Sequence, residues 1–99
     1  MAMIDLEHLN AATFGDTALK REVLRLFATQ AVSLIALISG SNAETRSAAA
    51  HALKGAALGI GAFELAKAAE SVELGEADSL TRLLHLAAAA RVEADRLAA

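Results

Sequence analysis

The chain has no cysteine, no proline, no tryptophan and no tyrosine, and only three phenylalanines among its 99 residues. Without cysteine there are no disulfides, no thiol catalysis and no thiolate metal sites, which fits a reducing compartment. Without proline the commonest helix breaker is missing, so long uninterrupted helices are allowed. So few aromatic rings leave little to stack on bases, and a net charge of −3 gives no basic footprint for nucleic acid. The first residues, Met1-Ala2-Met3-Ile4-Asp5, lack a basic region followed by an apolar run, so no signal peptide is read there. The most apolar stretch, Ala31 to Ile38, is too short to span a bilayer. A cytoplasmic protein that binds neither nucleic acid nor membrane is expected, and the starting methionine suggests a free-standing one.

What is present is apolar and helical. The composition is 56% hydrophobic, enough for a packed core in one domain covering residues 1–99. Much of that share is alanine, which favours helix and close helix approach but buries little area per residue. Four turn signals divide the chain: Gly15-Asp16, Gly40-Ser41-Asn42, Gly59-Ile60-Gly61 and Gly75-Glu76-Ala77-Asp78. A short first helix is expected from about Asp5 to Thr13, with Leu6 and Leu9 on one side. The next runs from Asp16, as N-cap, to Ser39, with Gly40 ending it. Its core face is read as Leu19, Val23, Leu26, Phe27, Gln30, Leu34, Leu37 and Ile38, at steps of three and four.

Ser41 followed by Glu44 matches a capping box and opens a third helix that continues to about Leu58. A fourth is expected from Ala62 to Leu74, with Phe63, Leu65, Ala66, Ala69 and Val72 as its apolar residues. Asp78 caps a last helix carrying Leu80, Leu83, Leu84, Ala87 and Val92. No alternating β-branched run appears, so strands are not expected. The fold class is all-α: an antiparallel up-down four-helix bundle, with the short extra N-terminal helix lying across one end.

Of the three histidines, His51 stands out by its place on its helix. At about 100° per residue, Ala49, Leu53, Ala56 and Ile60 fall opposite it and face the core, so His51 points to solvent. Ser47, Lys54, Gly55 and Leu58 share its side. Lys54, one turn on, can reach anything bound to the imidazole. Gly55 costs roughly 1 kcal/mol against alanine in a helix interior, and the missing side chain leaves room for a second protein to approach the ring. Leu58 offers that partner an apolar contact. A neutral imidazole is a good nucleophile near pH 7. No phosphate-cradling glycine loop and no acidic cluster of metal-binding design is present, so ATP chemistry is not expected. An exposed helical histidine is most often a solvated surface residue; His8 and His85 are read as surface or cap residues. No metal site is expected from the three, since they lie on separate helices with no i, i+4 pair.

The run from Ala50 through His51, Leu53, Lys54, Gly55, Ala56, Ala57, Leu58, Gly59 and Gly61 to Ala62 resembles the signature of histidine phosphotransfer (HPt) domains. That signature is a histidine, a spacer, leucine-lysine-glycine, two small residues and a later glycine-alanine. A weaker likeness continues through Leu65, Ala69 and Glu73 and covers the segment from Leu19 to Phe27. The resemblance implies a phosphocarrier of a two-component phosphorelay rather than an enzyme. His51 would accept a phosphoryl group from a receiver-domain aspartate or a histidine kinase and pass it to a response regulator. Lys54 would stabilise the phosphate and Gly55 would give room for docking, with Ser47 and Leu58 as further partner contacts. The chain would carry no cofactor, Mg²⁺ belonging to the receiver. The family often has serines where Ala56 and Ala57 stand, which implies a change in packing.

Two other functions fit the same residues less well. A non-catalytic adaptor docking a receiver or kinase domain would not need the histidine that this chain retains. A structural or self-associating bundle calls for a long exposed apolar stripe, which the sequence does not clearly show, and a monomer is expected.

Overall fold

A computed structural model describes residues 3–40, 42–76 and 78–99. It contains α1 (Leu6–Ala12), α2 (Thr17–Gly40), α3 (Ala43–Ile60), α4 (Phe63–Glu73) and α5 (Ser79–Ala98), and no strand among the described residues. The fold is all-helical, as expected, with extents of 39 × 20 × 19 Å. Packing runs around a ring in which α2 meets α3, α3 meets α4, α4 meets α5, and α5 returns to α2.

The helix starts show local chemistry at work. The Asp5 carboxylate accepts from the His8 amide at 3.1 Å, and Asp16 accepts from Leu19 at 3.0 Å, so both serve the unpaired amides of a first turn. Ser41, expected to cap α3, lies outside the described residues. The cap of α3 is Asn42, whose Oδ1 accepts from the Thr45 amide at 2.9 Å. Asp78 does stand at the start of α5, but its φ of 62° is left-handed and its side chain makes no capping bond. The capping role read for it is therefore corrected: its left-handed backbone is not the extended geometry in which an N-cap side chain serves the first-turn amides.

Leu24, Ile38, Leu53, Leu65 and Leu83 are fully enclosed, with Phe27 and Ile60 nearly so. Alanines fill the remaining space: Ala31, Ala50, Ala57, Ala69, Ala87, Ala90 and Ala94 have no exposed surface. Small side chains let helix axes approach closely, and each large residue then meets neighbours on several helices.

The inward face of α2 differs from the one read in the sequence. Its buried residues are Leu24, Phe27, Ala28, Ala31 and Ile38, while Val23, Leu34 and Ile35 are half-buried. Leu19, Leu26 and Leu37, expected in the core, are exposed at 36%, 56% and 45%. Two apolar stripes run along α2, offset by about one 100° step. Packing against both α3 and α5 selects the stripe that carries the small residues Ala28 and Ala31. Leu6 of α1, placed on one side with Leu9, and Val92, named among the apolar residues of α5, are likewise exposed. By length and composition alone α2 is apolar enough to cross a membrane; 28% of its most apolar window is buried in the fold.

α1 packs on α3 at the turn into α4. Gly61 ends α3 with φ of 80°, and its carbonyl accepts from the Asp5 amide at 3.0 Å. A Cβ on Gly61 would lie 3.0 Å from the Asp5 carbonyl oxygen and 3.2 Å from His8 Cβ. Glycine is thus required there twice, by the left-handed backbone and by the approach of α1.

Candidate functional site

The residues of α3 that face outward converge on one residue of α4. His51 is 67% exposed in its side chain, and its Nδ1 lies 2.7 Å from Oε2 of Glu73. Lys54 Nζ lies 3.4 Å from Oε1 of the same carboxylate. One turn before His51, the Ser47 hydroxyl donates to the backbone carbonyl of Glu73 at 3.2 Å. Ser47, His51 and Lys54 follow one another at steps of four and three, so they form a stripe along the helix. Glu73 is the last residue of α4, and that stripe holds both its backbone and its side chain.

The geometry fixes the chemistry of the imidazole. A carboxylate can only accept, so Nδ1 carries the proton that it shares with Glu73. In the neutral ring the lone pair is then on Nε2, the other ring nitrogen. Oε1 of Glu73 is closed to solvent and has no hydrogen-bond partner among the described residues; the charge of Lys54 compensates it. Burial pushes the Glu73 carboxyl up, but the hydrogen bond and charge of His51, with the charge of Lys54, outweigh it. The group is held below the ordinary carboxylate range.

Around this centre the surface is open. A Cβ built on Gly55 would meet no heavy atom within 4 Å, so nothing inside the protein demands glycine there. Leu58 is 45% exposed and lines a shallow groove of about 220 Å³ with Lys54, Phe63, Ala66, Lys67 and Glu70. Phe63, expected among the apolar residues of α4, is 40% exposed. The His8 ring meets it edge-on, with centroids 5.2 Å apart and planes at 80°. His8 is therefore a half-buried brace for Phe63, and His85 is exposed on α5.

Of the residues singled out in the sequence, His51 and Lys54 meet at one carboxylate. Gly55 and Leu58 flank them, and Ser47 is half-buried as a tie between α3 and α4. Glu73, Phe63 and Lys67 were not read as site residues. A signal for Glu73 was available: His51 and Glu73 stand equally far either side of Ala62. Two helices folded back at the Gly59–Gly61 turn bring such positions level. Among the described residues no three His, Asp or Glu side chains converge as a metal site would require. Neither protein-family models, nor curated proteins, nor solved structures match this chain.

Proposed function

We propose that this protein is a histidine phosphotransfer domain that carries a phosphoryl group on His51 Nε2 between partners of a two-component relay. The observation that carries this reading is the exposed His51 ring held through Nδ1 by Glu73 at 2.7 Å, with Lys54 on the same carboxylate. The ring of helix contacts supports an antiparallel up-down four-helix bundle, the architecture the resemblance implies.

In this reading the Nε2 lone pair attacks the phosphorus of a receiver's aspartyl phosphate. The N–P bond forms as the bond from phosphorus to the aspartate oxygen breaks, and the aspartate leaves as a carboxylate. The ring thereby becomes cationic, with its proton still on Nδ1 against Glu73. A carboxylate beside a ring that gains positive charge stabilises the phosphorylated form electrostatically. Lys54 is close enough to turn from Glu73 towards the new phosphate oxygens. The positively charged ring is a good leaving group, so the phosphoryl group stays transferable to a second aspartate. Such transfer needs positioning and charge neutralisation more than covalent machinery. The Mg²⁺ and the acceptor aspartate belong to the receiver. Leu58, Phe63 and Lys67 beside Lys54 give an apolar and cationic rim for an acidic receiver site, and the open space at Gly55 lets it come close.

The test is incubation with phosphorylated receiver domains and with a histidine kinase. Acid-labile, base-stable phosphate should appear on the wild type and not on His51→Gln. Label on His51→Gln would move the site elsewhere, and no label on the wild type from any tested donor would end the proposal.

A further inference from the structure

Phe63 stands between two hollows. On one side it lines the groove that runs past Lys54, Leu58 and Lys67. On the other it walls a hollow of about 480 Å³ beside the N-terminal segment, with Met3, Ile4, Leu6 and Glu64. No other described residue lines both. The ring is held lightly by its own helix. Phe63 is the first residue of α4, whose N-cap Ala62 makes no side-chain capping bond, and it is 40% exposed. The second hollow is largely apolar, so a ring released from the groove has an apolar place to turn into. The contact that sets the ring is with His8, edge-on at 5.2 Å and 80°, the preferred arrangement of an aromatic pair. His8 is itself anchored. Its amide donates to the Asp5 carboxylate at 3.1 Å, and the Asp5 amide donates to the Gly61 carbonyl at 3.0 Å. The Met3 amide donates to Oε2 of Glu93 on α5 at 2.6 Å. The segment leading into α1 is thus tied to the α3–α4 turn and to α5, and α1 cannot slide without breaking one of these bonds.

We propose that His8 is a positioning residue for docking: it holds the Phe63 ring on the Lys54 side, as the end wall of the groove that a phosphorylated receiver domain meets. This inference rests on the phosphotransfer reading. A donor that brings phosphorus to His51 also covers the next two turns of α3, which carry Lys54, Gly55 and Leu58. Leu58 lines the same groove as Phe63, so the covered surface runs up to that ring. Lys54 and Lys67 match the charge of an aspartyl phosphate and its acidic surroundings, while Leu58 and Phe63 bury apolar neighbours. Without the His8 ring, Phe63 can turn into the apolar hollow, and the groove loses its end wall. The partner then binds less tightly but still presents phosphorus to the same nitrogen. His8 packs at the Gly61 turn, about 14 Å along α3 from His51. Its effect therefore falls on docking and leaves the transfer step alone.

Single-turnover transfer from a phosphorylated receiver, over a range of receiver concentrations, separates docking from chemistry. His8→Ala should raise the half-saturating concentration about three- to tenfold, the range of one edge-on ring pair, and keep the plateau rate. His8→Phe, which keeps a ring, should restore the wild-type value. Phe63→Ala, at an exposed position, should give a similar loss, and the two alanine variants combined should not add, since both remove the same wall. Phosphoramidate, a small donor that needs no docking, should label wild type and His8→Ala alike. Aromatic NMR reads the brace without any transfer: the Phe63 ring signals should move towards averaged values in His8→Ala and return in His8→Phe. Where the wild type takes label, the inference alone is overturned by an unchanged half-saturating concentration in His8→Ala, by a loss confined to the plateau rate, or by unmoved Phe63 signals. A wild type that takes label from no donor overturns the phosphotransfer reading and this inference with it.

Discussion

Gly55→Ala separates a residue kept for folding from one kept for docking, because the two roles predict opposite signs. Glycine in a helix interior is about 1 kcal/mol less favourable than alanine, and Gly55 is in the middle of α3. The added Cβ would meet no heavy atom within 4 Å, so no clash offsets the gain in propensity. The variant should therefore be more stable by about 1 kcal/mol, which for a domain of this size raises Tm by roughly 4–8 °C. Urea unfolding should show a higher midpoint with an unchanged slope. The methyl group would stand one turn from His51, on the surface a receiver must approach. Transfer from a phosphorylated receiver should slow about tenfold, the equivalent of about 1.4 kcal/mol. A more stable variant with unchanged transfer would remove Gly55 from the docking surface. A less stable one would refute the open placement of that helix face.

Three further perturbations address the carboxylate and the turn that presents it. The Glu73 pKa is lowered in the folded chain, so its contribution to stability is present above the ordinary carboxylate value and lost as pH falls through the lowered one. The advantage of wild type over Glu73→Gln should be largest near neutrality and shrink below the ordinary value of 4.5, as read by denaturant titrations across pH. In the same variant, nitrogen NMR should show the His51 proton redistributed from Nδ1 towards Nε2; unchanged ring shifts would refute the tautomer assignment. Lys54→Ala should keep the helical circular dichroism spectrum but lower stability by about 1–3 kcal/mol, since it strips the enclosed Oε1 of Glu73 of its compensating charge, while transfer to His51 slows; an unfolded variant would contradict this. Gly61→Ala forces a left-handed alanine, at about 1–2 kcal/mol, and drives a Cβ to 3.0 Å from the Asp5 carbonyl oxygen. Stability should fall by at least about 2 kcal/mol and α1 amides should exchange faster, and a neutral result would refute the docking of α1.

Helix number, order and approximate bounds were legible because each depends on near neighbours along the chain. Turn glycines, the Asp16 cap and the three-and-four spacing of apolar residues all act within a turn or two. The same local rule turned His51 outward, since Leu53 and Ile60 had to face the core. It set Lys54, Gly55 and Leu58 around the ring as a charge, a gap and an apolar contact. The local rule reached its limit on α2, where both stripes are apolar and spacing cannot choose between them.

By itself, then, the sequence determined an all-helical chain and an outward histidine beside a lysine and a glycine, because helix periodicity and glycine cost are properties of single segments. The tertiary structure decided which stripe of α2 is buried, because Ala28 and Ala31 are selected only when α3 and α5 press against it from two sides. It also decided the state of the imidazole. Glu73 lies on another helix, and only the turn at Gly61 brings its carboxylate to Nδ1 and leaves the lone pair of the neutral ring on Nε2.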